Sequence, residues 1–417
     1  MQWQNESTFE SWYRAVLRAF RAFSIWGLLI AVPIEVPASD MLSPAAYARI
    51  SKLQNVLETG DHNQSRTLAE ATLAENYIGS YEKAITLQIL SQTKAAQGDY
   101  LAAARVLEEA LSLNAFDKIL ARSTRYNLAH LYVVAGDLDA GLVLLKAWFE
   151  EAEKPSSAAF MLLAQVNAQL AEYAKALPPA ISAVRLSKRP REDWYHFVSV
   201  LHYEVGDVAS MAAILRTMVT YWPQQGRYWD RLAWAYESLE EPAEARAVLE
   251  MAKKQGVLIE EKQLLRLVQL YLHEGLPDRA ARVVRQGLDD RIIDGTSENW
   301  KLLAEALVAA ENQNAAALAL EHAVDLTAGS ALRVRLAQMY LGKERWRDVV
   351  RVAETGLQKI ECDRIGELSF ALGIAQFHLG NNEEARDAFV HAALEQKTKR
   401  GAEQWLDLLL QHINRTS

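Results

Sequence analysis

Small side chains recur along this chain at a nearly fixed interval, and that interval limits the possible folds more than any other feature. With Ala233 as reference, equivalent positions are Leu53, Ser91, Ala129, Ala164, Ser199, Val268, Ala304, Ala337 and Gly373, in steps of 33 to 38 residues. A period of that length marks a stack of supersecondary units, each too small to bury its apolar face alone. The unit is clearest from Arg227 to Gly256. Trp229, Leu232, Ala233 and Tyr236 share one helical face, and Ala245, Leu249 and Ala252 mark the inner face of a second helix. Between them Glu240-Glu241-Pro242 ends the first helix, because proline lacks an N–H and restricts the residue before it. Ala233 and Ala245 are therefore expected to face each other, with Trp229 internal. The turns keep the same register. Gly98, Gly136, Gly206 and Gly380 lie seven residues after the reference position, each followed by Asp or Asn, and Ala171 and Gly275 occupy the same place. Twelve residues after the reference stand Ala103, Ala176, Ala245, Ala280, Ala316 and Ala385. The spacing predicts about ten helix pairs, the first two degenerate. They are closed by an unpartnered helix over Ala402 to Ile413 that covers the last apolar face.

With 50% hydrophobic residues and a net charge of -8, the 417-residue chain has the composition of a folded protein. Its acidic balance argues against a nucleic-acid partner, which calls for a cationic surface. The single cysteine, Cys362, excludes an intrachain disulfide. Near the N-terminus, Arg14, Arg18 and Arg21 precede an uncharged run from Ala22 to Ile34, followed by Val36-Pro37-Ala38. That is the layout of a secretory signal. The run is shorter than the roughly 20 residues that span a bilayer. The expected organisation is a signal peptide over 1–38, degenerate helix pairs over 39–120, the regular array over 121–400, and a capping helix and tail over 401–417. Cleavage near Ala38 would leave a periplasmic chain with no stable membrane span; an uncleaved segment would leave it anchored to the inner membrane.

The arrangement of W, LA, Y, A, L and A within a unit of about 34 residues resembles the tetratricopeptide (TPR) repeat. That resemblance implies an all-α, right-handed α-solenoid of about ten TPR-like helix pairs with a C-terminal capping helix. Further features sharpen it: Trp148-Phe149 with an acidic run to Pro155, the paired Pro178-Pro179, the Asp193-Trp194-Tyr195 start, Tyr228 to Ala233, and the closing Gln404-Trp405-Leu406. In these the chain is similar to exported bacterial TPR proteins found with TonB–ExbB–ExbD energy-transduction systems. The resemblance implies a non-catalytic interaction scaffold in the periplasm, with components of such a complex as partners. The alternative is a cytoplasmic or membrane-anchored assembly factor for a secretion or polysaccharide-export machine.

No phosphate loop, HExxH, GxSxG or CxxC occurs, so no catalytic residue, metal site or cofactor is expected. His196 and His202 are six apart and do not share a helical face. A TPR array instead offers a groove lined by its first helices, at positions three before and one, four and five after the reference residue. These include Tyr126, His130, Gln165, His196, Tyr203, Trp234, Glu237, Gln269 and His273. Tyr126, Tyr203 and Trp234 are large aromatics that packing between repeats does not call for, and such rings make good interface anchors. A protein or peptide partner is expected there. The Lys and Asn pairs with which chaperone-binding TPR domains hold a terminal carboxylate are missing: Tyr126 with His130, Met161 with Gln165, and Asp230 with Trp234 stand in their places.

Overall fold

The computed structural model describes residues 42–75, 78–327, 329–358 and 364–416, so the expected signal segment and Cys362 lie outside the described residues. Those residues form 21 α-helices and no strand. The chain divides into two compact units, one ending at Trp222 and the other beginning at Pro223. The first contains five helix pairs: α1 (Pro44–Glu58) with α2 (His62–Leu73), α3 (Ser80–Ala96) with α4 (Tyr100–Ser112), α5 (Lys118–Ala135) with α6 (Leu138–Glu151), α7 (Ser157–Gln169) with α8 (Tyr173–Leu186), and α9 (Glu192–Glu204) with α10 (Val208–Tyr221). The second contains α11 (Gly226–Ser238) with α12 (Pro242–Lys254), α13 (Glu261–His273) with α14 (Pro277–Asp289), α15 (Ser297–Ala309) with α16 (Gln313–Asp325), α17 (Ser330–Leu341) with α18 (Trp346–Leu357), α19 (Ile365–His378) with α20 (Asn382–Ala392), and a final α21 (Lys399–Thr416). The fold is thus the expected all-α array of ten TPR-like helix pairs with a C-terminal capping helix.

The reference position sets the closeness of each pair. Leu53, Ala129, Ala164, Ala233, Val268, Ala304 and Ala337 are all buried, as are Ser91 and Ser199. Twelve residues on, Ser65, Ala103, Ala176, Ala245, Ala280, Ala316 and Ala385 are buried too. The Ser91 hydroxyl donates to the Ala103 carbonyl at 2.8 Å, which shows the two positions in contact. In the third pair the partner of Ala129 is Gly141, where a Cβ would come within 2.6 Å of the Val133 side chain and 3.2 Å of the Ala129 carbonyl oxygen. In the tenth pair the small residue is Gly373, pressed against the Phe389 ring. Interiors this tight admit no extra carbon without movement.

Each first helix ends on a left-handed residue seven positions after the reference. Six of these are glycines with φ between +68° and +90°: Gly60, Gly98, Gly136, Gly206, Gly275 and Gly380. The other four are Ala171, Glu240, Glu311 and Glu344, with φ between +54° and +60°. The turn closes by Schellman pairing, as where Asp137 N–H donates to the Tyr132 carbonyl at 2.9 Å. The Asp137 carboxylate then accepts from Ala140 N–H at 3.1 Å and starts the second helix.

At the C-terminus, α21 buries Ala402 and Leu409 against Ala385, Phe389 and Ala392. Trp405 stacks on Phe389 with ring centroids 5.6 Å apart. The cap begins at Lys399, three residues before the Ala402 expected from the apolar pattern.

Candidate functional site

The residues expected to line a groove all lie on first helices. In the first unit these are Tyr126 and His130 on α5, Gln165 on α7, and His196 and Tyr203 on α9; every one is half-buried. Tyr126 has a packing partner that helical spacing does not reveal. Its ring stands 4.9 Å from that of Trp148 on α6, and it lies against the cluster of Ala129, Val133, Leu142, Leu145, Leu162 and Val166. Burial pushes its phenol up to about 12 and pushes the His130 imidazole below its ordinary value. The aromatic contacts continue from Trp148 to Phe149 at 5.2 Å and on to Phe160 of α7 at 5.1 Å. Trp148-Phe149 is therefore a bridge between consecutive repeats. Met161, at the same register as Tyr126, is also buried in the core.

In the second unit, α11 contributes the half-buried Trp234 and Glu237, and α13 contributes Gln269 and His273, both exposed. Trp229, the internal tryptophan of α11, is 7% exposed, and its indole N–H donates to the Pro223 carbonyl at 2.8 Å. One residue of the candidate face lies outside the spacing rule. Arg266 of α13 donates through Nε to Glu237 Oε1 at 2.8 Å and through Nη1 to Asp230 Oδ1 at 3.0 Å. It joins two successive first helices and leaves only 12% of its side chain exposed. Burial alone would lower its ionisation, but Glu237 and Asp230 outweigh that and raise it. Two repeats further on, Arg335 of α17 reaches Glu305 of α15 at 3.1 Å. Arg231, Arg266 and Arg335 all stand two residues before the reference position, a recurrence visible in the sequence once that register is inspected.

The carboxylate of Glu237 is thus already neutralised by its own chain. The Gln269 amide and the His273 ring remain exposed on α13. Among the described residues no group of three or more His, Cys, Asp or Glu could hold a metal ion. No helix among them is long and apolar enough to cross a membrane.

No family model matches the chain, and no curated protein matches it. Solved structures do. A tetratricopeptide repeat protein from Parabacteroides merdae is 16% identical with a TM-score of 0.35, over 59% of this chain and 93% of that one. A MamA structure is 19% identical with a TM-score of 0.36, over 44% of this chain and 97% of the other. YrrB, described as a TPR protein with an unusual peptide-binding site, is 17% identical with a TM-score of 0.35, over 46% and 91%. The fold assignment rests on the chain's own ten pairs, their register and their turns.

Proposed function

We propose that this chain is a non-catalytic protein-interaction scaffold that acts in the periplasm and supports a TonB-type energy-transduction complex. The observation that carries the scaffold reading is the first-helix face of the second unit. Packing there is complete without Gln269 and His273, and both remain exposed on α13 beside a fixed Arg266–Asp230–Glu237 network. A rigid helical surface with polar groups held in place is suited to a partner segment that supplies its own apolar anchors. Trp234 of the same unit is the proposed accompanying contact; His196, Tyr203 and Gln165 are proposed separately as partner contacts of the first unit. The periplasmic setting and the TonB-type partner are supported by the N-terminal signal layout and by the motifs from Trp148 to Leu406.

The test has two arms. The mature protein, isolated from its native envelope, should begin after Ala38 by mass spectrometry; an intact segment 1–38 would exclude cleavage and favour the anchored assembly factor. The tagged chain should co-purify with ExbB or ExbD, and the double variant Gln269→Ala, His273→Ala should lose that co-purification at an unchanged melting temperature. Equal recovery by the double variant would remove this face from the interaction.

A further inference from the structure

The second helices of the same unit carry a different surface. An open cavity of about 510 Å³ lies between α12 and α14. Lys253, Lys254 and Glu250 of α12 line it on one side, Arg279 and Arg282 of α14 on the other, with Tyr271 of α13 also in its wall. Four cations thus face one carboxylate, in a chain whose net charge is -8.

That carboxylate is fully engaged. Glu250 accepts from Arg246 Nη1 at 2.6 Å and from Arg279 Nη1 at 3.2 Å. Burial, with Glu250 beside it, pushes the Tyr271 phenol up to about 12, so it stays a neutral donor to Glu250. Lys253 donates to the Gln286 amide oxygen at 2.8 Å, a neutral acceptor. Lys254 and Arg282 form no ion pair with another described residue, and both are exposed. The positive charge of Lys253, Lys254 and Arg282 is therefore left without a counter-charge around one depression.

We infer that the cavity between α12 and α14 docks an acidic, carboxylate-rich peptide segment of a partner protein. Its cations are distributed over two helices and over a volume much larger than one ion, which suits several carboxylates in sequence better than one compact anion. Arginine forks hold carboxylates bidentately, and Arg282 presents one to solvent. The patch is local and the chain as a whole carries a net charge of -8, so an extended polyanion or an anionic bilayer would meet net repulsion from it. This surface lies on the other helix layer from Gln269 and His273, and the inference does not rest on the role proposed for them.

The experiment is a fluorescence-anisotropy titration of the full chain against a labelled hepta-glutamate peptide at low ionic strength. Saturable binding is expected, weakening steeply with salt because the charges are exposed. The double reversal Lys254→Glu, Arg282→Glu should weaken it by on the order of tenfold or more, through lost attraction and new like-charge contacts. Both side chains are exposed, so melting should be unchanged; the milder Lys254→Ala, Arg282→Ala variant should weaken binding in the same direction. Gln269→Ala, His273→Ala should leave the titration unaltered. Absence of peptide binding would overturn the inference, as would equal binding by the reversal variant. So would Lys254- and Arg282-dependent capture by anionic vesicles that the peptide fails to displace.

Discussion

Three junctions of the second unit place a glutamate where four others in the chain's first unit, and two in its own, place glycine. Replacing Glu240, Glu311 and Glu344 together by glycine should therefore stabilise that unit by about 2 kcal/mol. The magnitude follows from their backbone. Their φ values are +60°, +58° and +54°, in the left-handed region. A Cβ there costs about 1–2 kcal/mol per residue. Glycine removes that cost but has a freer unfolded chain, which takes back about 0.5–1 kcal/mol. The net is about 0.5–1 kcal/mol per site. Nothing offsets it, because all three side chains are exposed and none forms an ion pair with another described residue. The sites belong to three different repeats, so their effects should add.

Long repeat arrays depart from two-state unfolding, so a single melting temperature is a blunt readout. Amide hydrogen exchange followed by mass spectrometry resolves the local openings instead. Amides of α11, α12 and α15 to α18 should exchange about two- to fivefold more slowly, the factor equivalent to 0.5–1 kcal/mol. The opposite control is Gly136→Ala, at φ +90°, which should speed exchange in α5 and α6. If the triple glycine variant exchanged at the original rate or faster, the left-handed glutamates would carry no strain and the reasoning would fail.

Other consequences follow from the packing. Gly373→Ala would set its Cβ 2.6 Å from Phe389, a fully buried ring stacked on Trp405. Overpacking of about 1–3 kcal/mol should exceed the helix-propensity gain of up to about 1 kcal/mol, so exchange should loosen in α19 to α21 and be spared elsewhere. Trp229→Ala should empty a packed site and lose the bond to Pro223, destabilising α11 and α12 by about 3–5 kcal/mol in the same assay; unchanged protection there would show Trp229 to be peripheral. Burial lowers the ionisation of His130 and His202, the latter against the partial pull of Asp207. Both favour the neutral ring in the folded state, so their contribution is fully present above the unfolded value of about 6.5 and is lost as pH falls below it. Melting between about pH 7.5 and 5.5 should show the first unit weakening, and His130→Gln should flatten the dependence; a flat profile for the original chain would contradict the assignment.

The fold was legible because it depends on features a sequence states directly. A small residue every 33 to 38 positions is needed wherever two helices touch, and a glycine or Asp-capped turn is needed wherever they reverse. Even the degenerate first pair kept Gly60 in the left-handed position. The junctions at Glu311 and Glu344 were not legible, since a glutamate gives no turn signal and there tertiary packing imposes the conformation. The candidate face was legible only in outline. Helical spacing picked out Gln269 and His273, which are exposed on α13, but gave Tyr126 no packing role, because spacing describes one helix and Trp148 arrives from the next. Spacing also passed over Arg266, whose partners Asp230 and Glu237 lie 36 and 29 residues away on the preceding first helix. Such pairs become visible only when two repeats are set side by side.

Setting repeats side by side also separates the two layers of the second unit by charge. Each layer is stitched from one repeat to the next by ion pairs: Arg266 with Asp230 and Glu237, and Arg335 with Glu305, among the first helices; Arg279 with Glu250, and Arg351 with Glu321, among the second. In the first layer Arg266 serves two carboxylates on α11, while Gln269 and His273 of α13 remain exposed. Between α12 and α14 the balance is reversed, because Glu250 is shared by Arg246, Arg279 and Tyr271 while Lys254 and Arg282 remain unneutralised. Exposed pairs of this kind add little stability, on the order of 0–1 kcal/mol each. Their larger effect is to decide which charges are left for a partner to find. On the two proposed readings one layer selects by hydrogen bonding and shape and the other by charge, so two different segments can occupy the same unit at once without competing for the same groups.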